Sequence, residues 1–512
     1  MKTNLFILFL ICVAGLQSCY KDKGNYDYTK LPEVQISMTD APANGYVGES
    51  YTYVPEVIFE NPNDSVYYKY WWEYTSSLNA DGKPQVQEGK KLNYIPTNTG
   101  RFGWQFCMQD TRNNVVTSGS LYITVTAAFN RGWLVLSNDN GRSVVSFIRP
   151  QWNTTPDGGK VREYVPYIDL NKEQASLGTN PTGLYQALKS TGSIVLLKQE
   201  SGPVWLNGNS FLPEVLLNDE FLGGSPAGFQ LKDYTECSYL GVALAKDGRL
   251  FSRYMASTAG YYTDDIMNFP TEYYGEIVHA TSLIPLTPLV GVFGLYDEQK
   301  KRVLWINNDY FFPNSVFPSV MSASGDYLDF AHLDDKRILY CSTTSPALAN
   351  APLTTIYSKG GQFYVQSAQA TFNRTAMQNV TLTVSKDKLF AGNDLITQNS
   401  KFFMLETRPY LFFAEKNNVY WYDLNTETVH NIYTFPAGEN VVAMGTNPQE
   451  SELGVTLENG TFATLDIAND QLYANHKIWE THGIPGKVID LKYKFDNGTT
   501  YANRVRITSY WD

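Results

Sequence analysis

The stretch that most constrains the fold is 408–435, RPYLFFAEKNNVYWYDLNTETVHNIYTF. It contains three short runs rich in aromatic and β-branched residues, and polar turn segments separate them: 410–414, 419–422 and 429–435. Such a pattern is typical of an antiparallel meander with tight turns. A meander of this size amounts to one blade of a β-propeller.

Loose copies of this pattern recur along the rest of the chain. Each copy shows a strand, a turn and a second strand, and the turns carry Gly, Asn or Asp, which suit tight hairpins. There are six such copies, at 132–148, 192–208, 239–255, 290–307, 353–366 and 452–467. With 408–435 they make seven hairpins. We therefore predict a β-propeller of about seven blades over residues 128–512. Two successive β-sandwiches are the alternative, which the absence of a Pro/Gly/Ser-rich linker in this range disfavours.

A ring of blades must also join its two ends, because an unpaired strand edge invites aggregation. Two more strand-like runs, 486–498 and 502–511, follow the seventh hairpin. We expect these C-terminal strands to pair with the first blade.

Residues 32–127 have a different pattern, in which shorter strand-like runs alternate with turn clusters. The runs are 33–38, 50–59, 66–74, 91–95, 103–109 and 120–126. Roughly seven short strands in about a hundred residues are typical of an Ig-like β-sandwich. On the central strand, alternation should send one of Trp71 and Trp72 into the core and the other outward, both as structural residues. The predicted fold class is therefore all-β, an N-terminal Ig-like β-sandwich followed by the propeller.

The N-terminus has the features of a secretory signal. Lys2 precedes an apolar run, 5–15, that is too short to span a bilayer. The junction that ends in Cys19 resembles a bacterial lipobox, so we expect residues 1–18 to be removed and Cys19 to be acylated. Residues 19–31 form a polar tether whose charged residues resemble the surface-export signals of Bacteroidetes lipoproteins, although they mix signs where acidic residues are usual. We expect a lipid-anchored protein of the outer membrane that faces the cell exterior.

Composition excludes several classes of partner and site. With 40 Lys+Arg against 51 Asp+Glu and no basic stripe, nucleic acid is excluded as a partner. Beyond Cys12 and Cys19 the chain has Cys107, Cys237 and Cys341, which are too widely spaced for a metal motif. Each is expected to pack as a small hydrophobic residue, and a single Cys237–Cys341 bridge stays open.

No catalytic motif is present. The chain lacks HExxH, a GxSxG elbow, a P-loop and a Rossmann glycine pattern, and its histidines are scattered. We therefore predict no catalytic residue, no metal and no cofactor. Propeller glycosidases and lyases, however, take carboxylates from different blades in a central channel, and such sets leave no local motif.

A candidate binding rim follows from strand parity. If every hairpin turns at one end of the ring, the segment that leaves it emerges at the other end, and the first four such segments are long. Two of them, from neighbouring blades, are rich in aromatic residues that could stack on sugars or peptide side chains. The rim consists of Tyr261, Tyr262, Phe269, Tyr273, Tyr274, Tyr310, Phe311 and Phe312. The alternative is that these rings fold onto the blade edges.

The stretch LNYIPTNTGRFGWQFCMQDTRNNVVTSGSLYITV looks like the closing strands of a PKD domain. Together with the lipobox, the tether CYKDKGNYDY and the long repeat region, it resembles the PKD-like family lipoproteins of Bacteroidetes. The resemblance implies an accessory surface lipoprotein with a SusC-like TonB-dependent transporter and a SusD-like lipoprotein as partners and an oligopeptide or oligosaccharide as ligand. It supplies no binding residues. Our leading interpretation is a non-catalytic component of nutrient import, and the alternative is a surface propeller glycoside hydrolase or lyase.

Overall fold

The structure is a computed structural model that describes residues 33–42, 44–78, 82–154, 159–172, 177–189, 192–237, 240–254, 265–287, 292–309, 312–343, 350–372 and 379–495. Within them the regular secondary structure is almost entirely β-strand, with short 3-10 helices at Pro62–Tyr67, Leu217–Glu220 and Asn393–Leu395. It divides into two compact units. The first comprises Met1–Gly45 and Glu49–Val125, and the second comprises Tyr46–Gly48 and Thr126–Asp512.

The first unit is a small sandwich. Its strands are β1 (Val34–Ser37), β2 (Asn44–Tyr46), β3 (Tyr51–Tyr53), β4 (Glu56–Phe59), β5 (Tyr68–Leu78), β6 (Pro84–Glu88), β7 (Leu92–Tyr94), β8 (Gly100–Asp110) and β9 (Val116–Thr126). One sheet has the order β2-β9-β8-β5-β6, and the pairs β1–β4 and β3–β7 complete the unit. The predicted run 50–59 is two strands, because Pro55 between them has no N–H for a ladder. The short strands β2 and β6 were not predicted.

The rings of Trp72 and Tyr53 join the layers of this sandwich. Trp72 is fully buried, 5.1 Å from the ring of Phe106 in its own sheet and 6.4 Å from the ring of Tyr53 in β3. Trp71 lies on the opposite face of β5, half-buried, and its indole N–H donates to Glu73 Oε1 at 2.8 Å. The prediction that one tryptophan points inward and the other outward is confirmed.

The second unit consists of blades whose sheets are arranged in succession. Blade 1 contains β10 (Gly132–Asp139), β11 (Arg142–Thr154) and β12 (Lys160–Tyr167); blade 2 contains β13 (Pro181–Lys189), β14 (Gly192–Gln199), β15 (Val204–Asn207) and β16 (Pro213–Leu216); blade 3 contains β17 (Leu231–Cys237), β18 (Leu240–Ala245) and β19 (Leu250–Tyr254). A small hairpin of β20 (Glu272–Tyr273) and β21 (Glu276–Ile277) follows blade 3.

Blade 4 contains β22 (Ser282–Thr287), β23 (Val292–Asp297), β24 (Arg302–Asp309) and β25 (Phe312–Met321); blade 5 contains β26 (Arg337–Thr343), β27 (Asn350–Lys359), β28 (Gln362–Phe372) and β29 (Val380–Leu389). Blade 6 contains β30 (Lys401–Met404), β31 (Tyr410–Glu415), β32 (Asn418–Asp423) and β33 (Val429–Thr434); blade 7 contains β34 (Val441–Thr446), β35 (Glu452–Leu457), β36 (Phe462–Asp466) and β37 (Lys477–Thr481); the last described strand is β38 (Lys487–Lys494).

The seven predicted hairpins form the second and third strands of successive blades, and the seven-bladed propeller is confirmed. The innermost strands are β38, β13, β17, β22, β26, β30 and β34, in order around the axis. Each of them contacts the next, and β34 contacts β38, so the ring is closed. We call the end of the ring that carries the turns of the seven hairpins the hairpin face, and the other end the exit face.

Closure depends on β38, which pairs antiparallel with β10 and thereby completes blade 1 as its innermost strand. Trp133 of β10 is fully buried at this joint, with its ring 4.8 Å from Tyr493 of β38 and 5.5 Å from Phe462 of blade 7. The expected pairing of the C-terminal strands with blade 1 is confirmed for residues 487–494. The run 502–511 lies outside the described residues.

Two blades depart from the regular pattern. Blade 3 has three strands, and the segment after β19 returns alongside it, with Met267 N–H donating to Ser252 O at 2.9 Å and Thr271 N–H to Leu250 O at 2.8 Å. The outer strands β25 and β29 pair in parallel, which joins blades 4 and 5 at their outer edges. Each device gives backbone partners to an outer edge that would otherwise face solvent unpaired.

The expectation that the cysteines pack as small hydrophobic residues is confirmed for two of them. Cys107 and Cys341 are buried free thiols, so Cys341 forms no bridge with Cys237. The side chain of Cys237 lies outside the described residues.

The closing joint makes a stability prediction from two glycines that are cross-strand partners, Gly445 in β34 and Gly454 in β35. A Cβ at Gly454 would lie 2.4 Å from Trp133, whereas one at Gly445 would meet its nearest atom at an ordinary 3.9 Å. We expect Gly454→Ala to cost about 1–3 kcal/mol of unfolding free energy through overpacking. Gly445→Ala is the matched control and should be neutral or slightly stabilising. Urea denaturation followed by tryptophan fluorescence measures both, and equal midpoints would contradict this account of the joint.

Candidate functional site

The innermost strands enclose a cavity of about 360 Å³ on the propeller axis. Five blades contribute to its wall, through β22, β26, β30, β34 and β38, together with the loops that follow β30 and β34. The lining residues are Ser282, Leu283, Ile284, Ile338, Leu339, Tyr340, Cys341, Ser342, Phe402, Phe403, Met404, Glu406, Met444, Gly445, Thr446, Asn447, Glu450, Leu491 and Lys492. Because no two of these strands are neighbours in sequence, the site exists only once the ring has closed.

One wall of the cavity is apolar and aromatic. Leu339 and Tyr340 of β26 and Phe402 and Phe403 of β30 are only partly buried, and Tyr340 stacks on Phe402 with ring centroids 5.7 Å apart. The N–H of Met404 donates to the Tyr340 hydroxyl at 2.9 Å, which fixes this ring between two blades. Rings held in this way can contact the apolar face of a sugar or a peptide side chain.

The exit-face end of the cavity is acidic, but the carboxylate of Glu450 there already accepts hydrogen bonds from neighbouring residues of the protein. Its carboxylate accepts the backbone N–H of Glu406 at 2.6 Å and the N–H and hydroxyl of Thr407. Arg408 lies beside it, with Nε 3.7 Å from Oε2. Glu450 also adopts a φ of +48°, in the left-handed region, which such a network can hold in place. Glu450 therefore braces the loop of blade 6 against that of blade 7.

The cavity also contains one cation. Lys492 of β38 is half-buried, and within the described part of the chain it forms no ion pair. Its ammonium group can offer three donors to an anionic group of a ligand.

Two further titratable groups of the wall, the Cys341 thiol and the Tyr340 hydroxyl, are poor nucleophiles at neutral pH. Burial raises the pKa of the Cys341 thiol to about 12 and that of the Tyr340 hydroxyl to about 12. A thiol that stays protonated is inert as a nucleophile and as a metal ligand. Across the described ranges, no group of three or more His, Cys, Asp and Glu side chains is placed to hold a metal ion.

A second cluster of charges lies away from the cavity, between blades 2 and 3. Arg253 donates to Glu220 at 3.0 Å and to the Tyr234 hydroxyl at 2.6 Å, and that hydroxyl donates to Glu236 at 2.6 Å. Trp205 donates its indole N–H to Glu220 at 2.7 Å. All five residues are buried, so these contacts hold the two blades together.

The structure describes part of the predicted binding rim. Tyr261, Tyr262, Tyr310 and Phe311 lie outside the described residues, as does the side chain of Phe312, which begins β25. Phe269 is exposed, and Tyr274 is 90% exposed with its ring 4.5 Å from that of Tyr273.

The parity argument is wrong for Tyr273 and Tyr274, because they lie at the hairpin face. The β20–β21 hairpin is held between the turns of two blades. Glu276 pairs with Lys300 in the turn of blade 4, and His279 Nδ1 lies 3.0 Å from Asp247 O in the turn of blade 3. The physical reason is the return of the chain along β19, which carries these residues back across the ring. Their role in binding stays a prediction, and they are separate from the acidic end of the cavity.

Reasoning from the sequence missed the cavity residues. Strong hairpin signals mark the second and third strands of each blade, whereas the innermost strands lie between them in short runs such as 401–404. The one signal for them in the sequence was the stretch of residues before each hairpin, which is long enough to form one more strand facing the axis.

Comparison with known proteins gives a family match over part of the chain. Residues 19–171 match the model of the PKD-like family, which extends from the tether into blade 1. No curated protein matches the chain.

The chain is also similar to several solved structures. A quinonprotein alcohol dehydrogenase-like protein from Bacteroides thetaiotaomicron is 12% identical, with 91% of this chain and 96% of that chain covered and a TM-score of 0.41. A functionally unknown protein from Desulfotomaculum acetoxidans is 10% identical, with 72% and 99% covered and a TM-score of 0.42. At these scores neither similarity carries an argument about this protein.

The described segments contain no helix of the length and apolar character that a membrane span requires.

The brace formed by Glu450 makes a second stability prediction. Glu450→Gln removes the charge and turns an amide towards N–H donors, so we expect a loss of about 1.5–3 kcal/mol, the range for hydrogen bonds to charged groups. Glu458→Gln is the control, because Glu458 forms an exposed pair with Lys487 at 2.7 Å that should contribute less than about 1 kcal/mol. Thermal unfolding at neutral pH compares the two, and an equal effect would show that Glu450 is not a brace.

Proposed function

We propose that this protein is a lipid-anchored, non-catalytic binding protein of the outer-membrane surface that serves as an accessory component of a SusCD-type TonB-dependent import complex for peptides or glycans. The observation that carries the binding role is the axial cavity, with aromatic rings on one wall and the half-buried Lys492 on another. Concave sites with an apolar lining and a few convergent polar groups are the usual form of small-ligand sites.

The state of the titratable groups supports binding over hydrolysis. A glycosidase needs two carboxyl groups that are available to the scissile bond, one as acid and one as base or nucleophile. Glu450 is occupied by backbone and hydroxyl donors, and the thiol of Cys341 stays protonated. Neither Glu450 nor Cys341 therefore presents an activated acid, base or nucleophile to a bound ligand.

The size of the cavity limits what it can hold. About 360 Å³ is near the lower end of the range for ligand sites, roughly 300–1,000 Å³. The cavity suits the end of an oligomer and not its full length. An end that carries a carboxylate, such as a peptide C-terminus or an acidic sugar, would place that group on Lys492 and its apolar part on Phe402 and Phe403.

The anchored, outward-facing location is supported by the signal at 1–18, by Cys19 and by the tether at 19–31. The accessory role is supported by the PKD-like match over 19–171. Two acyl chains would make the attachment stable, since one chain alone binds membranes only marginally.

The import role is tested by purification of the tagged protein from native outer membrane in mild detergent. We expect a TonB-dependent barrel and a SusD-like lipoprotein to co-elute in stoichiometric amounts. The matched control is Cys19→Ala, which should leave the membrane fraction and lose both partners. Elution of the wild-type protein alone, from an extract in which both partners are intact, would contradict the accessory role and direct attention to turnover of a glycan and peptide panel.

The ligand site is tested by Lys492→Gln, measured by isothermal titration with short peptides that end in a free carboxylate. We expect about 10- to 150-fold weaker binding, since one charge-assisted contact contributes roughly 1.5–3 kcal/mol. Lys487→Gln on the same strand is the control and should bind as the wild type does. Amidated peptides should bind equally to all three proteins.

The same titration separates the cavity from the rim. If Tyr274→Ala weakens binding and Lys492→Gln does not, the ligand binds at the hairpin face and the cavity assignment fails. Loss with Lys492→Gln alone assigns the ligand to the cavity.

A further inference from the structure

One end of the N-terminal sandwich exposes four apolar side chains, Val66, Tyr67, Val115 and Val116, which we call the apolar tip. They are 78%, 44%, 41% and 49% exposed. They come from two neighbouring loops, since Thr111 N–H donates to Tyr67 O at 2.9 Å and Asp110 N–H donates to Val115 O at 2.9 Å. The four side chains therefore lie at the same end of the sandwich, on two neighbouring segments.

A charged group behind the tip holds both loops in place. The Arg112 guanidinium donates to Asp110 at 2.7 Å and to Asp64 at 3.2 Å, and it lies over the ring of Tyr67 at 4.5 Å from the centroid. The hydrogen bond from Arg112 lowers the pKa of Asp110 to about 2, so the ion pair persists at neutral and mildly acidic pH. The apolar side chains are presented on a fixed base.

The chain enters the sandwich at this same end. β1 pairs with β4 so that Val34 lies opposite Phe59, and Glu60 N–H donates to Glu33 O at 3.1 Å. The loop of Val66 and Tyr67 follows directly after Glu60. Cys19 is 14 residues before Glu33, a distance that a fully extended chain spans in about 50 Å at most. β9 leaves the sandwich at the opposite end, near Gly100.

We propose that the apolar tip rests in the lipid surface of the leaflet that holds the acyl chains of Cys19. This inference rests on the proposed function, because it takes the lipid anchor as given. Short aliphatic side chains beside a tyrosine suit the headgroup boundary, where an aromatic ring can keep its hydroxyl in water. Anchor and tip together give two points of attachment at one end of the sandwich, which fix its orientation on the membrane.

The charges around the tip indicate how it binds. Three acidic residues, Glu33, Glu60 and Asp64, lie at this end of the sandwich against one exposed lysine, Lys69, and Arg112 is already paired. Attraction to anionic headgroups is therefore not the driving force. Binding should come from buried apolar area and should be insensitive to salt.

The test uses the acylated full-length protein reconstituted in phosphatidylcholine vesicles, with an environment-sensitive fluorophore on Val66→Cys. The control is Ile95→Cys, which is 61% exposed at the opposite end of the sandwich. Unsubstituted protein gives the background, and Cys107 and Cys341 are buried. We expect a blue shift and several-fold more quenching by lipid-borne quenchers at position 66 than at position 95, unchanged in high salt. Equal quenching at both positions overturns the proposal.

A second substitution keeps the test independent of the label. Val116→Asp in the labelled Val66→Cys protein should abolish the quenching, whereas Ile95→Asp in the same background should leave it unchanged. If position 66 becomes shielded only when the transporter is added, the tip binds a protein partner, and the lipid proposal is overturned.

Failure of the anchor is distinguishable from failure of the tip. Mass spectrometry of the mature N-terminus and flotation with vesicles report acylation directly, so their failure contradicts the proposed function. Acylated, floating protein whose position 66 stays unquenched contradicts only the role of the tip.

Discussion

The pairing of β38 with β10 is the constraint on which the rest of the propeller depends. Without it, blade 1 has no innermost strand, and Trp133 loses the ring of Tyr493 against which it packs. The cavity also loses Leu491 and Lys492, which are part of its wall. One long-range pairing therefore completes a blade, closes the ring and completes the site. Such non-local contacts form late and slowly, because the loop entropy must be offset first.

Polar groups buried between blades complete what apolar packing begins. Tyr164 in the outer strand of blade 1 donates to Glu452 of blade 7 at 2.7 Å, and Arg253 joins blades 2 and 3 through Glu220. Removing Arg253 would leave the buried carboxylate of Glu220 without its cation, at a cost of about 3–5 kcal/mol, although an intact buried ion pair adds little net stability. Apolar faces can slide past one another, whereas these contacts are satisfied in one register only. We infer that they fix how each blade meets the next.

The sequence predicted those parts of the fold that local chemistry determines. Turn residues such as Gly141, Gly248 and Gly460 adopt positive φ in the hairpins that they were expected to form, and the blade count follows from them. The innermost strands could not be located in this way, because they have no turn signature of their own. The position of Tyr273 and Tyr274 was missed for a related reason. The parity argument followed each exit segment only as far as the exit face, whereas the segment after β19 runs back along β19 and reaches the hairpin face before Tyr273.

The cavity was beyond local reasoning altogether, since its wall combines residues as distant as Leu283 and Lys492. The same origin explains why its carboxylate at position 450 is a structural brace. A side chain at the end of an innermost strand lies next to the loop of the preceding blade, whose backbone N–H groups need acceptors once they are buried. Glu450 meets that need for Glu406 and Thr407. To act as a catalytic acid or base it would have to give up these donors, and the loops of blades 6 and 7 would lose their connection. Chemistry at this position therefore conflicts with the stability of the ring, whereas ligand binding through Lys492 and the aromatic wall does not.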